Sequence, residues 1–271
     1  MNEARSSGPA IDRDRAAALM EPLTDLVVRA GAAILAVNRV AMKIDGKIDG
    51  SPVTEADLAA DRIIAEGLAR LVPQVPALSE ERVHLAKPPY DGSFFLIDPL
   101  DGTKEFVAGR GEFTVNLALV LNGTPLLGII GAPALGLIWR GLIGRGAERL
   151  TMGKAEPIHT RLSPRRGDPW IAAVSRSHGD SRTEAFIDER PGAIRQALGS
   201  AVKFGRVAEG QADIYPRLAP TCEWDIAAGH AIVTAAGGKV TDSHGAPLHF
   251  GQGRKDFIVP EFIAWGDPKA V

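Results

Sequence analysis

Two carboxylates close an apolar run in the segment Leu96–Phe106, LIDPLDGTKEF, where Asp98 follows Ile97 directly and Asp101 follows Pro99-Leu100. A carboxylate at the end of a buried strand loses hydration, so it must be paired, protonated or coordinating a cation. Two hard oxygen donors on one short loop suit Mg²⁺, which binds through a few carboxylates, keeps waters and completes its shell with phosphate. The Leu100 carbonyl can add a neutral ligand. Asp, Pro and Gly are also the common turn residues, so DPLDG alone reads equally well as an ordinary turn.

Three further groups weigh toward the cation. Gly102-Thr103-Lys104 places a glycine and successive N–H groups at the start of a helix, an arrangement that admits an anion close to the backbone. The Thr103 hydroxyl, brought near an acid such as Asp57, would polarise a metal-bound water. Glu80 and Glu81 follow a short apolar run in ALSEE, and Asp225 opens a helical pattern in EWD. Each has a plainer alternative: Glu80 and Glu81 as a solvated pair, Asp225 as a cap, Lys104 as a partner for Glu105. Cys222 reads as an ordinary small residue.

The elements that must position these groups are alternating helices and strands, an α/β or α+β chain. Apolar residues from Ala16 to about Val40 fall on one helical face, with Pro22 marking the expected start. A loop rich in Lys, Asp and Gly leads to a second helix over Glu55–Leu71, with Thr54 as N-cap and Asp57 in the acidic place of a capping box. Phe113–Val120 and Leu126–Pro133 read as strands, and IAAVSRSH as a strand emptying into a polar loop. DIAAGHAIVTAAGG reads as a helix with Asp225 at its N-terminus and Gly237 at C′. The polar, proline-bearing stretch Thr151–Arg166 marks the expected boundary between an N-terminal α+β lobe, residues 16–155, and a C-terminal α/β lobe, residues 156–271. Residues 1–15 read as a poorly ordered tail.

The chain has 271 residues, enough for one large or two small domains, and carries 31 Lys and Arg against 33 Asp and Glu. That balance excludes a basic face for nucleic acid. A single cysteine excludes an internal disulfide and a cysteine-based zinc site. No run approaches the ~18 apolar residues of a membrane span. The N-terminus lacks the apolar core of a signal peptide. The expectation is a cytoplasmic protein, monomer or homodimer, with loose peripheral association at the inner face of the membrane left open.

DPLDGT, together with Trp224-Asp225, eleven residues and Gly237-Gly238, resembles the signature pair of the lithium-sensitive, Mg²⁺-dependent inositol monophosphatase superfamily. SPVTEADLAAD, LSEE, DPLDGTKEF, GEFTVNLAL, VSRSH, VAEGQADIYPR and WDIAAGHA resemble its bacterial CysQ-type 3′(2′),5′-bisphosphate nucleotidases, over about residues 20–250. The resemblance implies a layered αβαβα sugar-phosphatase fold. It implies removal of the 3′-phosphate of adenosine 3′,5′-bisphosphate without a covalent intermediate, in nucleotide recycling during sulfur assimilation.

It also implies that Glu80, Asp98, the Leu100 carbonyl, Asp101 and Asp225 hold two or three Mg²⁺ ions, while Asp57 and Thr103, with Glu80, serve the attacking water. Gly102, Thr103 and Asp225 would also face the substrate. His178 would border the adenosine, and Ser200, Lys203 and Arg217 would bind its polar groups, the second phosphate included. Alternatives are an inositol or fructose-bisphosphate phosphatase of the same superfamily, or a non-catalytic nucleotide sensor that keeps the pocket.

Overall fold

The computed structural model describes residues 6–7, 9–39, 44–46, 52–86, 88–177, 179–252 and 254–271. Helix α1 spans Arg13–Ala36 and α2 spans Glu55–Leu71; they pack on each other and on one face of a seven-stranded sheet. The sheet's strands are β1 (Ala77–Ser79), β2 (Ser93–Asp101), β3 (Thr114–Leu121), β4 (Thr124–Ala132), β5 (Leu137–Leu142), β6 (Gly146–Thr151) and β7 (Lys154–Ile158). They lie in sequence order, antiparallel except for the β1/β2 pair.

A second, five-stranded sheet comprises β8 (Ile171–Ser175), β9 (Ile194–Leu198), β10 (Ile214–Arg217), β11 (Lys239–Thr241) and β12 (Phe262–Trp265), in the order β9-β8-β10-β12-β11. Between the sheets lie α5 (Val202–Ala208) and α6 (Glu223–Ala235), while α4 (Ser181–Asp188) covers the outer face of the second. The short helix α3 (Thr103–Val107) follows β2. The layers run α, β, α, β, α, as the resemblance implies.

The apolar code for this stacking is the strand alternation. Along β2, Phe95 and Ile97 pack with α1 and α2, while Phe94 and Leu96 face the layer of α5 and α6. Val115, Leu117 and Leu119 of β3 continue the first face, and Ala118 and Val120 the second. A sheet covered on both sides reads as an unbroken apolar run because each face needs its own set. Burying a large side chain such as Phe94 contributes roughly 1.5–3 kcal/mol. A smaller cluster, including Val174, Ile187, Ile263 and Trp265, fills the space under α4.

Several elements differ from expectation. Helix α1 does not start at Pro22: Asp12 caps it, accepting from the Arg15 N–H at 2.8 Å, and buried Ala16 and Leu19 anchor the turns before the proline. Ile11, expected in the tail, is fully buried, and its N–H donates to the Ser93 hydroxyl at 2.7 Å. The polar stretch Thr151–Arg166 contains β7, an edge strand where Pro157 is tolerated because its missing N–H breaks no inner ladder. The loop before α2 contains a short antiparallel pair, Ile44–Gly46 with Pro52–Thr54. Helix α2 has the expected bounds.

Candidate active site

Strand β2 carries the acid loop. Asp98 pairs with Asn116 and Asp101 with Thr114, so three steps on β2 match two on β3, and the register shifts between them. In an unbroken strand, residues three apart point to opposite faces. The extra residue in Pro99-Leu100 is a bulge that returns Asp101 to the face of Asp98, and both line one cleft. Leu100 turns the other way, into the core under α1 and α2, while its N–H donates to Asp98 Oδ1 at 3.1 Å.

The cleft, of about 230 Å³, is lined from the first sheet by Glu80, Asp98, Leu100, Asp101, Gly102 and Thr103. From the second sheet and the central helices come Ser200, Lys203, Tyr215, Arg217 and Asp225. Apart from Tyr215, which the sequence offers only within VAEGQADIYPR, these are the residues singled out in the sequence, with three qualifications. His178 lies outside the described residues. Asp57 reaches the cleft only through Thr103. Asp225 is the third residue of α6, not its cap; Cys222 is the N-cap, and its N–H donates to Asp225 Oδ2 at 3.1 Å.

Each acid is held by its neighbourhood. Asp57 is 1 % exposed; Oδ2 accepts from the Thr54 N–H at 2.8 Å and the Thr54 hydroxyl at 2.6 Å, completing the capping box of α2. Its Oδ1 is left for the Thr103 hydroxyl at 3.1 Å, a proton shared with the Leu100 carbonyl at 3.2 Å. Asp101 Oδ2 accepts from Asn116 Nδ2 at 3.3 Å and from the Thr114 hydroxyl at 3.4 Å. Thr221 donates its hydroxyl to Asp225 Oδ2. Glu80 opens a 3₁₀ turn between Ser79 and Arg82, both of which bind Asp61 of α2, Ser79 at 2.6 Å and Arg82 at 2.9 Å. At the far end of α6, Gly237, with φ +105°, is the C′ residue as expected. Its N–H and that of Gly238 reach the Thr234 and Val233 carbonyls.

Asp61, Asn116, Thr114 and Thr221 were not singled out in the sequence. Only Asp61 had a signal, its i+4 spacing from Asp57 on the helix face. The other three sit on strands and carry no motif.

Electrostatics divide the cleft. Lost hydration, and then the charge of Asp225, push the Asp101 carboxyl up to about 6, against the pull of Lys203. Lys203, 2 % exposed, is pushed down to about 8 by burial, which Asp101 opposes and Arg217 reinforces. Its ammonium donates to the Ser200 carbonyl at 2.5 Å and to the Leu198 carbonyl at 3.3 Å, and lies 5.1 Å from the Tyr215 ring. Tyr215, Phe204 and Phe262 pack mutually with ring centroids 4.9–5.4 Å apart, a rigid apolar floor on this side.

Among the described residues, no group of three or more His, Cys, Asp or Glu side chains is set to hold a metal ion unaided. The donors nevertheless fit Mg²⁺, which takes one or two carboxylates and fills its shell with water and phosphate. They are hard oxygens, and Asp101 and Asp225 repel each other in a partly dehydrated cleft, a strain that a cation removes. Gly102 has φ +90°, and a Cβ there would lie 2.1 Å from Ser200 Oγ. The glycine is thus required by packing between the two sheets as well as by the turn.

The geometry has relatives. The family model of the inositol monophosphatases matches residues 17–264. The chain is 39 % identical over 253 residues to the 3′(2′),5′-bisphosphate nucleotidase CysQ of Escherichia coli strain K12, covering 90 % of this chain and 98 % of that protein. Its counterpart in Salmonella typhimurium is 40 % identical over the same shares of each chain. Among solved structures, CysQ from Bacteroides thetaiotaomicron superposes with a TM-score of 0.76 at 33 % identity, over 92 % of this chain and 97 % of that one. An inositol monophosphatase from Anabaena superposes at 0.73 with 25 % identity, over 93 % and 91 %. With the fold, the acid loop and the matched length in agreement, the chain belongs to the inositol monophosphatase family.

Proposed function

We propose that the protein is a phosphatase that hydrolyses the 3′-phosphate of adenosine 3′,5′-bisphosphate to AMP and phosphate, with two or three Mg²⁺ ions. The observation that carries this reading is one cleft in which acids, Glu80, Asp98 and Asp101 from the first sheet and Asp225 from α6, share the lining with two cations, Lys203 and Arg217. Nearly full-length similarity to proteins named as bisphosphate nucleotidases supports the nucleotide substrate. Glu80, Asp98, the Leu100 carbonyl, Asp101 and Asp225 would hold the magnesium. When bound, it supplies positive charge to the phosphoryl oxygens and lowers the pKa of a coordinated water.

The chain's own residues do the rest. Because Asp57 Oδ2 is committed to Thr54, Oδ1 draws the Thr103 proton inward. The Thr103 lone pairs are then turned toward the cleft, where they accept an O–H of water and aim its oxygen. Selectivity rests on the two cations. A bisphosphate presents one phosphate to the acids and one to Lys203 and Arg217, whereas an inositol monophosphate brings the buried Lys203 and half-buried Arg217 no second anion. Gly102, Thr103 and Asp225 border the phosphate that leaves.

Phosphate release from adenosine 3′,5′-bisphosphate and from inositol 1-phosphate, each with Mg²⁺ and with or without Li⁺, tests the proposal. We expect kcat/KM to favour the bisphosphate by at least about tenfold, the worth of one charge-assisted hydrogen bond. Preference for the inositol ester would overturn the substrate. No release from any phosphate ester would instead favour a non-catalytic sensor.

A further inference from the structure

Ser200 lies in the left-handed region, at φ +48°, a backbone conformation that is unfavourable for any residue with a Cβ. That conformation brings its hydroxyl to 2.8 Å from the Asp101 carbonyl and 2.9 Å from the Glu112 carbonyl. Both partners are acceptors, so the single hydroxyl proton is shared between them and none is left to donate to a ligand. The approach is close on either side. A Cβ on Gly102 would stand 2.1 Å from Ser200 Oγ, and one on Gly199 would stand 2.4 Å from the Glu112 carbonyl oxygen.

The Glu112 side chain tightens the same junction. It accepts from the Gly199 N–H at 2.8 Å and pairs with Arg176 at 2.8 Å. On the far side, the Ser200 carbonyl receives the Lys203 ammonium at 2.5 Å. One turn, Gly199-Ser200, therefore connects Asp101 of the first sheet to Lys203 at the start of α5.

We propose that Ser200 is a positioning residue for metal binding, and that its hydroxyl is not a ligand of the substrate. By holding the Asp101 carbonyl against the turn, it sets where the Asp101 carboxylate stands relative to Asp225 and to the Lys203 ammonium. The proposal rests on the metal-dependent reading above, but only on its acids and not on its nucleotide.

The test uses the full chain with Ser200→Ala, which removes the hydroxyl, and Ser200→Gly, which also relieves the backbone. Mg²⁺ binding is measured by calorimetry without nucleotide, alongside kcat and KM for adenosine 3′,5′-bisphosphate, and melting curves establish that each variant is folded. Both variants should weaken Mg²⁺ binding by about five- to tenfold, the factor that one lost hydrogen bond represents. KM at saturating Mg²⁺ should stay close to that of the parent. A KM that rises with Mg²⁺ binding unchanged would overturn the proposal in favour of a substrate contact. Parent-like Mg²⁺ binding in Ser200→Gly would overturn it because the hydroxyl is then dispensable; should Ser200→Ala not fold, that comparison decides alone. A parent that binds Mg²⁺ but releases no phosphate refutes the nucleotide reading and leaves the binding comparison intact.

Discussion

Replacing Asp101 by Asn should stabilise the metal-free protein while removing its activity. In the fold the Asp101 carboxyl is raised from 3.8 to about 6, first by lost hydration and then by Asp225. Between those two values the folded chain keeps a proton that the unfolded chain has released, so stability falls as pH rises through this window. Above it, the ionised group weakens the fold by the whole shift of about 2 units, or about 3 kcal/mol. Because Asp101 keeps some contact with solvent in the cleft, that figure is an upper bound. Asn preserves the shape, carries no charge, and can still accept from Asn116 Nδ2, now 3.3 Å from Asp101 Oδ2.

The assay is thermal unfolding in a chelator at two pH values. At about pH 8, Asp101→Asn should melt several degrees above the parent, each kcal/mol being worth roughly 2–4 °C in a chain of this size. At about pH 4.5, partway into the window, the difference should shrink to roughly a third, about 1 kcal/mol, and it should vanish only below 3.8, where both states hold the proton. Added Mg²⁺ should narrow or reverse the order, because the parent gains more from binding it. A variant that melts at or below the parent at the higher pH, or a gain that does not change with pH, would refute the reasoning.

Gly102→Ala should destabilise the protein by about 2–4 kcal/mol in a denaturant titration, combining left-handed strain with overpacking at Ser200. Lys203, at about 8, should be charged below that pH and neutral above it. kcat/KM for the bisphosphate should therefore fall as pH rises through about 8, and in Lys203→Arg that limb should move beyond the alkaline range; an unmoved limb assigns it to another group.

What was legible in the sequence was local. The capping box of Thr54 and Asp57 closes within one helical turn, and Gly237 lies beside the end of α6 that it terminates, whereas nothing local marks Cys222 as the N-cap of that helix. Pro22 misled because proline marks helix starts only when nothing upstream is anchored, and Ile11, Ala16 and Leu19 are. The second sheet was only partly visible. Strand β9 reads IRQAL, with one apolar face too short for a clear period, and β11 and β12 find their places only by pairing with each other and with β10.

The sequence by itself determined which atoms can do chemistry: hard oxygens clustered at DPLDGT, the Asp57 and Thr103 pair of functional groups, and one more acid at the head of α6. It also determined the alternation that buries β2 on both faces. Only the tertiary structure decided that a bulge turns Asp98 and Asp101 to the same side, and that Asp225 stands close enough to raise the Asp101 carboxyl. It alone decided that the Ser200 hydroxyl is spent on a carbonyl 99 residues away. Spacing along a chain fixes neighbours within a turn or a ladder, whereas contacts between sheets depend on how two buried faces meet, and no local pattern encodes that distance.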